Sequence, residues 1–195
     1  MSIMPSIDKK FIVENVFNAN EKLFQEYTTF VETGTYMAET TVMASEVFNI
    51  VHTIEIKRDF CDRARKLHKD KKNIFFHLGD SSILMPHICK KINSKTVFFL
   101  DGHWSAGNTG KGTKDCPLYE ELTAIINNLN DEAFIIVDDC RLFGKGPRKG
   151  DEICDWEDIN VKNILNTCDS RILSHHFADS ECAKNDRLII HIKKL

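Results

Sequence analysis

The residues of this chain that could do chemistry stand at the ends of short apolar runs. Gly34, in "FVETGTY" (residues 30–36), closes the first run and opens a helical pattern. A glycine at a strand-to-helix junction permits the sharp turn on which nucleotides are bound. A dinucleotide fingerprint needs further glycines so that the backbone can approach a pyrophosphate, and here Tyr36 and Ala38 stand in those places. The turn therefore suits a ligand without phosphates. Glu55 ends the second run in "TIEI", 21 residues beyond Gly34. At that spacing an acid on a strand end is placed to accept hydrogen bonds from ribose hydroxyls. Asp80, in "HLGDSS" at the end of the third run, is placed to receive an adenine amino group. The three positions together predict a nucleoside with a free ribose and little or no phosphate.

Two further run ends carry reactive groups. "FFLDGHWS" puts Asp101, His103 and Trp104 after the fourth run, and "IIVDD" puts Asp138 and Asp139 after the fifth. Carboxylates are ligands for hard divalent cations, and an imidazole titrating near neutrality can take a proton from a reacting hydroxyl. The other reading of His103 is that it packs against the adenine or fixes its loop. Glu32 could equally cap the helix that follows it.

These ends need elements to hold them. The segment 8–27 has mixed helical periodicity and predicts one or two leading helices. Strands are then expected at 28–33, 51–56, 73–79, 96–101 and 133–139, separated by helices at 38–49, 58–70, 81–92 and 117–130. Pro117 suits the first turn of its helix. A loop rich in Gly, Lys and Asp (140–158) precedes a helix at 159–167, and two strands follow at 171–177 and 186–193. The first five strands are apolar runs without alternation, the pattern of a parallel sheet covered on both faces. The last two have only "ADSECAKN" between them, too short for a crossover helix, so they are expected to pair antiparallel.

Composition bounds the rest. The chain has 195 residues, 42% of them hydrophobic and 28% charged, with net charge −3. This suits one soluble domain, leading helices over 1–27 and a core over 28–195, with no tract long enough to span a membrane. An acidic balance without an arginine-rich block disfavours nucleic acid as partner. The seven cysteines are scattered singly, which predicts reduced thiols in a cytoplasmic or cytosol-like compartment. A homodimer is left open.

The motifs "VETGTY", "TIEI", "LGDSS", "FFLDGHWS" and "IIVDD", in that order and spacing over about 28–193, resemble the class I S-adenosylmethionine-dependent methyltransferases. The resemblance implies a Rossmann-like methyltransferase fold, an α/β seven-stranded mostly parallel sheet with the last strand pair antiparallel and helices on both faces. It implies S-adenosyl-L-methionine as cofactor, held by Glu32, Thr33, Gly34, Thr35, Tyr36, Glu55, Asp80, Ser81, Asp101, His103 and Trp104. In that strand order the fourth and fifth strands lie side by side next to the first. The arrangement is similar to the catechol and macrocin-type sugar O-methyltransferases, which implies a divalent metal, Mg²⁺ by default, on Asp101, Asp138 and Asp139. Ser105 stands where the catechol enzymes carry a catalytic lysine, so His103, with Asp101 beside it, is the candidate catalytic group. The expected acceptor is a small molecule or glycan with several hydroxyls. A metal-independent transfer to another acceptor and a non-catalytic cofactor-binding subunit are the alternatives. The glycine-rich loop 102–116 is expected to be a lid or a plain surface connection, with Lys111 and Lys114 in solvent. Asp151, Glu152 and Trp156 are expected near the acceptor, while His175 and His176 are expected to be structural.

Overall fold

The computed structural model describes residues 5–150 and 152–195. Strands β1 (Thr29–Thr33), β4 (Thr96–Leu100) and β5 (Ala133–Val137) are buried along their whole length, as unalternating apolar runs require. With β2 (Ile50–Glu55), β3 (Ile74–Leu78), β6 (Ile172–Ala178) and β7 (Arg187–Ile192) they form one sheet in the order β3-β2-β1-β4-β5-β7-β6. All neighbours are parallel except those of β7, which runs against both β5 and β6.

Strand order reverses between β1 and β4, and the crevice outside the carboxyl ends at that point is where such sheets bind ligands. The register makes those ends level. Thr33 sits opposite Ile54 and Leu100, and Leu100 opposite Val137. Gly34, Asp101 and Asp138 are therefore each the first residue beyond the sheet, and Glu55 is the last residue within it.

Helices cover both faces. Helices α5 (Ser81–Cys89), α6 (Leu118–Asn128) and α7 (Val161–Cys168) contribute Met85, Ile125 and Ile164 to one core with Val31, Phe98 and Ile135. On the other face Phe17, Phe24 and Ala44, the last from α3 (Glu39–Val47), pack on Phe30, Phe99 and Phe134. Helix α4 (Arg58–Leu67) lies against β2 and β3. No helix among the described residues is long and apolar enough to cross a membrane.

The leading segment departs most from regular helix. Helix α1 (Lys9–Phe11) runs into a π-helical turn at Ile12–Val16, stops at Asn18 and Ala19, both with positive φ, and restarts as α2 (Glu21–Phe24). The wider π turn brings Ile12, Val13 and Val16 onto the buried side together, which is why the periodicity of 8–27 is mixed. Helix α7 starts at Val161, two residues later than expected, because the Asn160 side chain caps it by accepting from Asn163 N at 2.9 Å.

Arg171, only 2% exposed, closes the far end of α6. Its guanidinium donates to the carbonyls of Ile126 (3.0 Å), Leu129 (2.8 Å), Asp131 (2.8 Å) and Lys193 (2.9 Å). A cation suits the carbonyl end of a helix. Arg171→Met should lower unfolding free energy by about 3–5 kcal/mol, because several buried carbonyls lose their donor at once. Denaturant titration checks this, and a loss under about 1 kcal/mol would show that water replaces the guanidinium.

Candidate functional site

Two cavities open at the carboxyl end of the sheet. The first, about 390 Å³, lies over β1, β2 and β3 and is lined by Gly34, Tyr36, Glu55, Asp80, Ser81 and the chain from Asp101 to Ser105. The second, about 630 Å³, lies over β4, β5 and β7. Asp101, His103, Trp104 and Ser105 line both. The loop after β4 is thus a partition between two chambers, each in the size range of small-molecule sites.

The turn after β1 is built from left-handed residues. Gly34 has φ +86°, and Tyr36 and Ala38 follow at 45° and 69°. The two positions that lack the fingerprint's glycines still adopt a backbone that favours glycine, at a cost of roughly 1–2 kcal/mol each. Tyr36 N donates to Glu55 Oε2 and Lys57 N to Glu55 Oε1, both at 2.8 Å. The buried carboxylate is fixed by these two bonds, and each oxygen keeps a lone pair for a ligand hydroxyl. The Tyr36 ring is half exposed and meets Phe60 edge-on, with centroids 5.1 Å apart.

Of the other expected first-cavity residues, Glu32, Thr33 and Thr35 are not in its lining, while Asp80 and Ser81 are. Glu32 does not line the cavity: its carboxylate accepts from the hydroxyls of Thr41 and, at 2.7 Å, Thr53. It anchors α3 through a side chain and does not cap it. Burial raises its carboxyl to about 7. Thr35 Oγ1 also meets Thr53 Oγ1, at 2.5 Å, and Thr33 Oγ1 accepts from Asp101 N at 3.2 Å. Asp80 caps α5, accepting from Ser82 N (2.9 Å) and Ser82 Oγ (2.6 Å) on Oδ1, so Oδ2, which Thr113 Oγ1 meets at 3.4 Å, is the oxygen left for an adenine. Ser81 Oγ donates at 2.5 Å to Glu121, a buried acid on α6 that burial raises to about 7.

At the partition, His103 Nε2 lies 3.2 Å from Asp139 Oδ2 and 2.9 Å from Ser105 Oγ, with Nδ1 3.5 Å from Asp101 Oδ1. Its ring tilts against Trp156 at 4.8 Å between centroids. Burial holds the imidazole below its ordinary pKa, partly offset by Asp139. Burial, then the charges of Asp138 and Asp139, push the Asp101 carboxyl well above the usual range.

The expected trio of carboxylates does not converge on one point. Asp101, His103 and Asp139 offer ligand atoms within 4.8 Å of one another, while Asp138 and Asp139 group instead with Asp186. The reason is a pair of guanidiniums. Arg187 Nε donates to Asp138 Oδ1 at 3.1 Å and its NH2 to the Ser6 carbonyl at 2.6 Å. Arg141 binds Asp139 Oδ1 and, at 2.6 Å, Asp186 Oδ2. Burial still raises Asp138, to about 6. For Asp186, burial is outweighed by bonds from Ser180 and Arg141, which hold its carboxyl low.

The remaining expectations divide. Trp104, Glu152 and Trp156 line the second cavity, whereas Asp151 lies outside the described residues. Lys111 is not simply in solvent: it sits over the Trp104 ring at 3.9 Å and pairs with Asp115 at 2.8 Å. Lys114 pairs with Glu120 and lines the first cavity. Gly110 and Gly112 press on Ile56 and Asp80, so the 102–116 loop roofs the first cavity. His176 Nε2 meets the Asn15 carbonyl at 2.7 Å and fastens the leading segment to β6. Sequence reading missed Glu121, Arg141, Asp186, Arg187 and Ser6. Only "DR" before the last strand carried a signal, as a charged pair at the mouth of an apolar run.

No protein-family model matches the sequence, and no curated protein is significantly similar to it. Solved structures share the fold. An rRNA methylase from Streptococcus thermophilus aligns with TM-score 0.55 at 11% identity over 94% of this chain and 98% of its own. The N-methyltransferase NodS from Bradyrhizobium japonicum aligns with TM-score 0.56 at 11% identity, over 96% and 98%. SMU.1697c from Streptococcus mutans, in complex with S-adenosylhomocysteine (SAH), aligns with TM-score 0.55 at 15% identity, over 92% and 97%. The fold is therefore the Rossmann-like methyltransferase fold, as the motifs implied.

Glu121 provides a test of the buried acids beneath the partition. Its carboxyl rises from an ordinary 4.5 to about 7, so the folded protein keeps a proton that the unfolded chain loses. That contribution is complete below pH 4.5 and is lost as pH rises through about 7. Glu121→Gln can still accept from Ser81 and has no proton to lose. Relative to wild type it should gain about 1–3 kcal/mol between pH 5 and pH 8. Paired denaturant titrations measure the difference, and a flat one would mean Glu121 is ionised in the fold throughout.

Proposed function

We propose that the chain is a SAM-dependent O-methyltransferase that binds its cofactor in the first cavity and its acceptor in the second. The observation that carries this reading is the shared partition, since one loop touches both chambers and holds an imidazole between them. The expected acceptor is small and polyhydroxylated, such as a sugar or glycan. Glu55 receives the ribose hydroxyls and Asp80 Oδ2 the adenine amino group, as their place at the strand ends suggests. The SAH complex of SMU.1697c supports the choice of cofactor by likeness of fold.

SAM supplies a methyl group already activated on a sulfonium, so the protein's part is alignment and deprotonation. With Nε2–H donating to Asp139, His103 keeps the Nδ1 lone pair, 3.5 Å from Asp101 Oδ1, as the acceptor for the hydroxyl proton. The depressed imidazole pKa favours that unprotonated form at neutral pH, and Trp156 holds the ring in place.

Of the two donor groups among the described residues that could take a divalent cation, Asp138, Asp139 and Asp186 are already paired with Arg187 and Arg141, which leaves the other as the better fit. Asp101, His103 and Asp139 would hold it, and it would supply acidification of a bound hydroxyl in place of the imidazole base, because a ligated imidazole has no lone pair left for the proton. Asp138 is not in that set, because Arg187 has claimed it. A donor set containing an imidazole suits Mn²⁺ or Fe²⁺ better than Mg²⁺. A second reading, transfer without metal, is favoured by Arg141 and Arg187, which already neutralise the acids a metal would have served.

Calorimetry should show SAH binding, weakened by about 1.5–3 kcal/mol in Glu55→Ala; binding of NAD in preference to SAH would end the proposal. Acting as base, His103 should be separable from binding. His103→Ala should leave SAH affinity nearly intact and lower turnover roughly 10²–10⁴-fold, whereas saturating turnover within about threefold of wild type would make it a binding group. Exhaustive chelation decides between the readings, as abolished transfer restored by Mn²⁺ supports the metal and undiminished transfer supports its absence.

A further inference from the structure

We infer that the acceptor carries a cationic nitrogen, and that the second cavity rejects phosphorylated or carboxylated molecules. This rests on the reading of the second cavity as the acceptor site. Six carboxylates line it, those of Asp101, Asp138, Asp139, Glu152, Glu181 and Asp186, against the two guanidiniums of Arg141 and Arg187. With all six ionised the formal excess is four negative charges, and with Asp101 held neutral by its burial it is three. A divalent cation on Asp101, His103 and Asp139 would offset two of them and leave the sign unchanged.

The distribution of partners matters more than the count. Both guanidiniums are already paired with carboxylates, although Arg141 makes both of its bonds through one terminal nitrogen. Arg141 is taken by Asp139 and Asp186, and Arg187 by Asp138, the Ser6 carbonyl and the face of Phe11, 4.6 Å from its centroid. No lysine lines the chamber among the described residues. An anionic group entering it would meet carboxylates in excess over guanidiniums that are already neutralised, and such like-charge contact is how sites exclude wrong partners. At the rim, Glu152 and Glu181 have no arginine or lysine partner among the described residues, and these are the carboxylates an ammonium group would reach. The wall of the cavity also holds an unpartnered donor. Trp156 lines it, and the indole Nε1–H is buried without a hydrogen-bond partner among the described residues. A buried donor of this kind calls for an acceptor oxygen. An amine together with hydroxyl or ether oxygens, as in an amino sugar or amino alcohol, answers both features.

The test uses three ligands on one ring: glucosamine, glucose and glucose 6-phosphate. Each is titrated into the full-length protein saturated with SAH, in EDTA, by calorimetry or saturation-transfer NMR. Glucosamine should bind about tenfold or more tighter than glucose 6-phosphate, with glucose between them. Glu152→Gln combined with Glu181→Gln should collapse that preference, most strongly at low salt, and leave SAH affinity unchanged. The amide oxygen introduced by Glu152→Gln can still accept from Cys154 N, which the native carboxylate does at 3.2 Å, and circular dichroism confirms folding. If SAH binds but glucosamine is no tighter than glucose 6-phosphate, the inference fails alone. A preference that survives intact in the double variant would also overturn it, since its source would lie elsewhere. If SAH itself does not bind, the methyltransferase reading fails and takes this inference with it.

Discussion

The site depends on a close approach of two backbones. At Gly34 the turn after β1 passes so near the carbonyl of Asp101 that a Cβ there would lie 2.5 Å from its oxygen. One residue on, a Cβ at Gly102 would meet the Thr33 side chain at 2.7 Å and Glu121 Oε1 at 3.1 Å. Only small residues at both places let the ends of β1 and β4 interlock, and the bond from Asp101 N to Thr33 Oγ1 closes the joint. This joint sets the direction of the chain from Asp101 to Ser105, and so places His103 between two chambers. Its positive φ is a second reason for glycine at position 34.

The same crowding has an electrostatic consequence. Three parallel strands ending level bring Glu32, Asp101, Asp138 and Asp139 close together, with Glu121 below them. Burial raises Glu32, Asp101, Asp138 and Glu121 above their ordinary ranges. Two arginines relieve the outer members, and both come from outside the five-strand repeat. Arg141 follows Asp139 on a single helical turn, and Arg187 opens the antiparallel strand β7. Arg187 also holds Ser6 and stacks on Phe11. The leading segment is therefore tied to the acid cluster it covers, and Pro5 and Ser6 become part of the second cavity's wall.

How much of this could be read from the sequence varies with the kind of interaction. The strands were legible because central strands buried on both faces need continuous apolar runs, and the antiparallel pair because its connection is too short for a crossover. The place of Glu55, at the end of β2 and in the wall of the first cavity, was legible through spacing, a one-dimensional property that survives folding. Strand order came from a resemblance, since periodicity says nothing about which strand lies beside which. The left-handed turn at Tyr36 and Ala38 was hidden because neither residue type advertises positive φ. The exclusion of Asp138 from the metal-like cluster was hidden for another reason. It is decided by Arg187, 49 residues away in the chain, and long-range pairing leaves no local pattern.

The neutralised acids bear on how such a partition could promote methyl transfer. On the proposed reading the donor is a sulfonium cation, and its charge disperses as the methyl group moves to the acceptor. Bare carboxylates along the partition would hold the charged reactant more strongly than the transition state, and interactions of that sign do not accelerate the step. Here Asp101 is held toward its neutral form by burial and its neighbours, and Asp138 and Asp139 each carry a guanidinium. The field at the partition is therefore weaker than the count of acids suggests. Of the second cavity's carboxylates without an arginine or lysine partner among the described residues, Asp101 sits at the partition, while Glu152 and Glu181 line the second cavity and not the first. On that reading the chamber would attract a cationic acceptor by charge at its rim while the reacting groups are aligned by shape, with the charges of one task kept away from the geometry of the other.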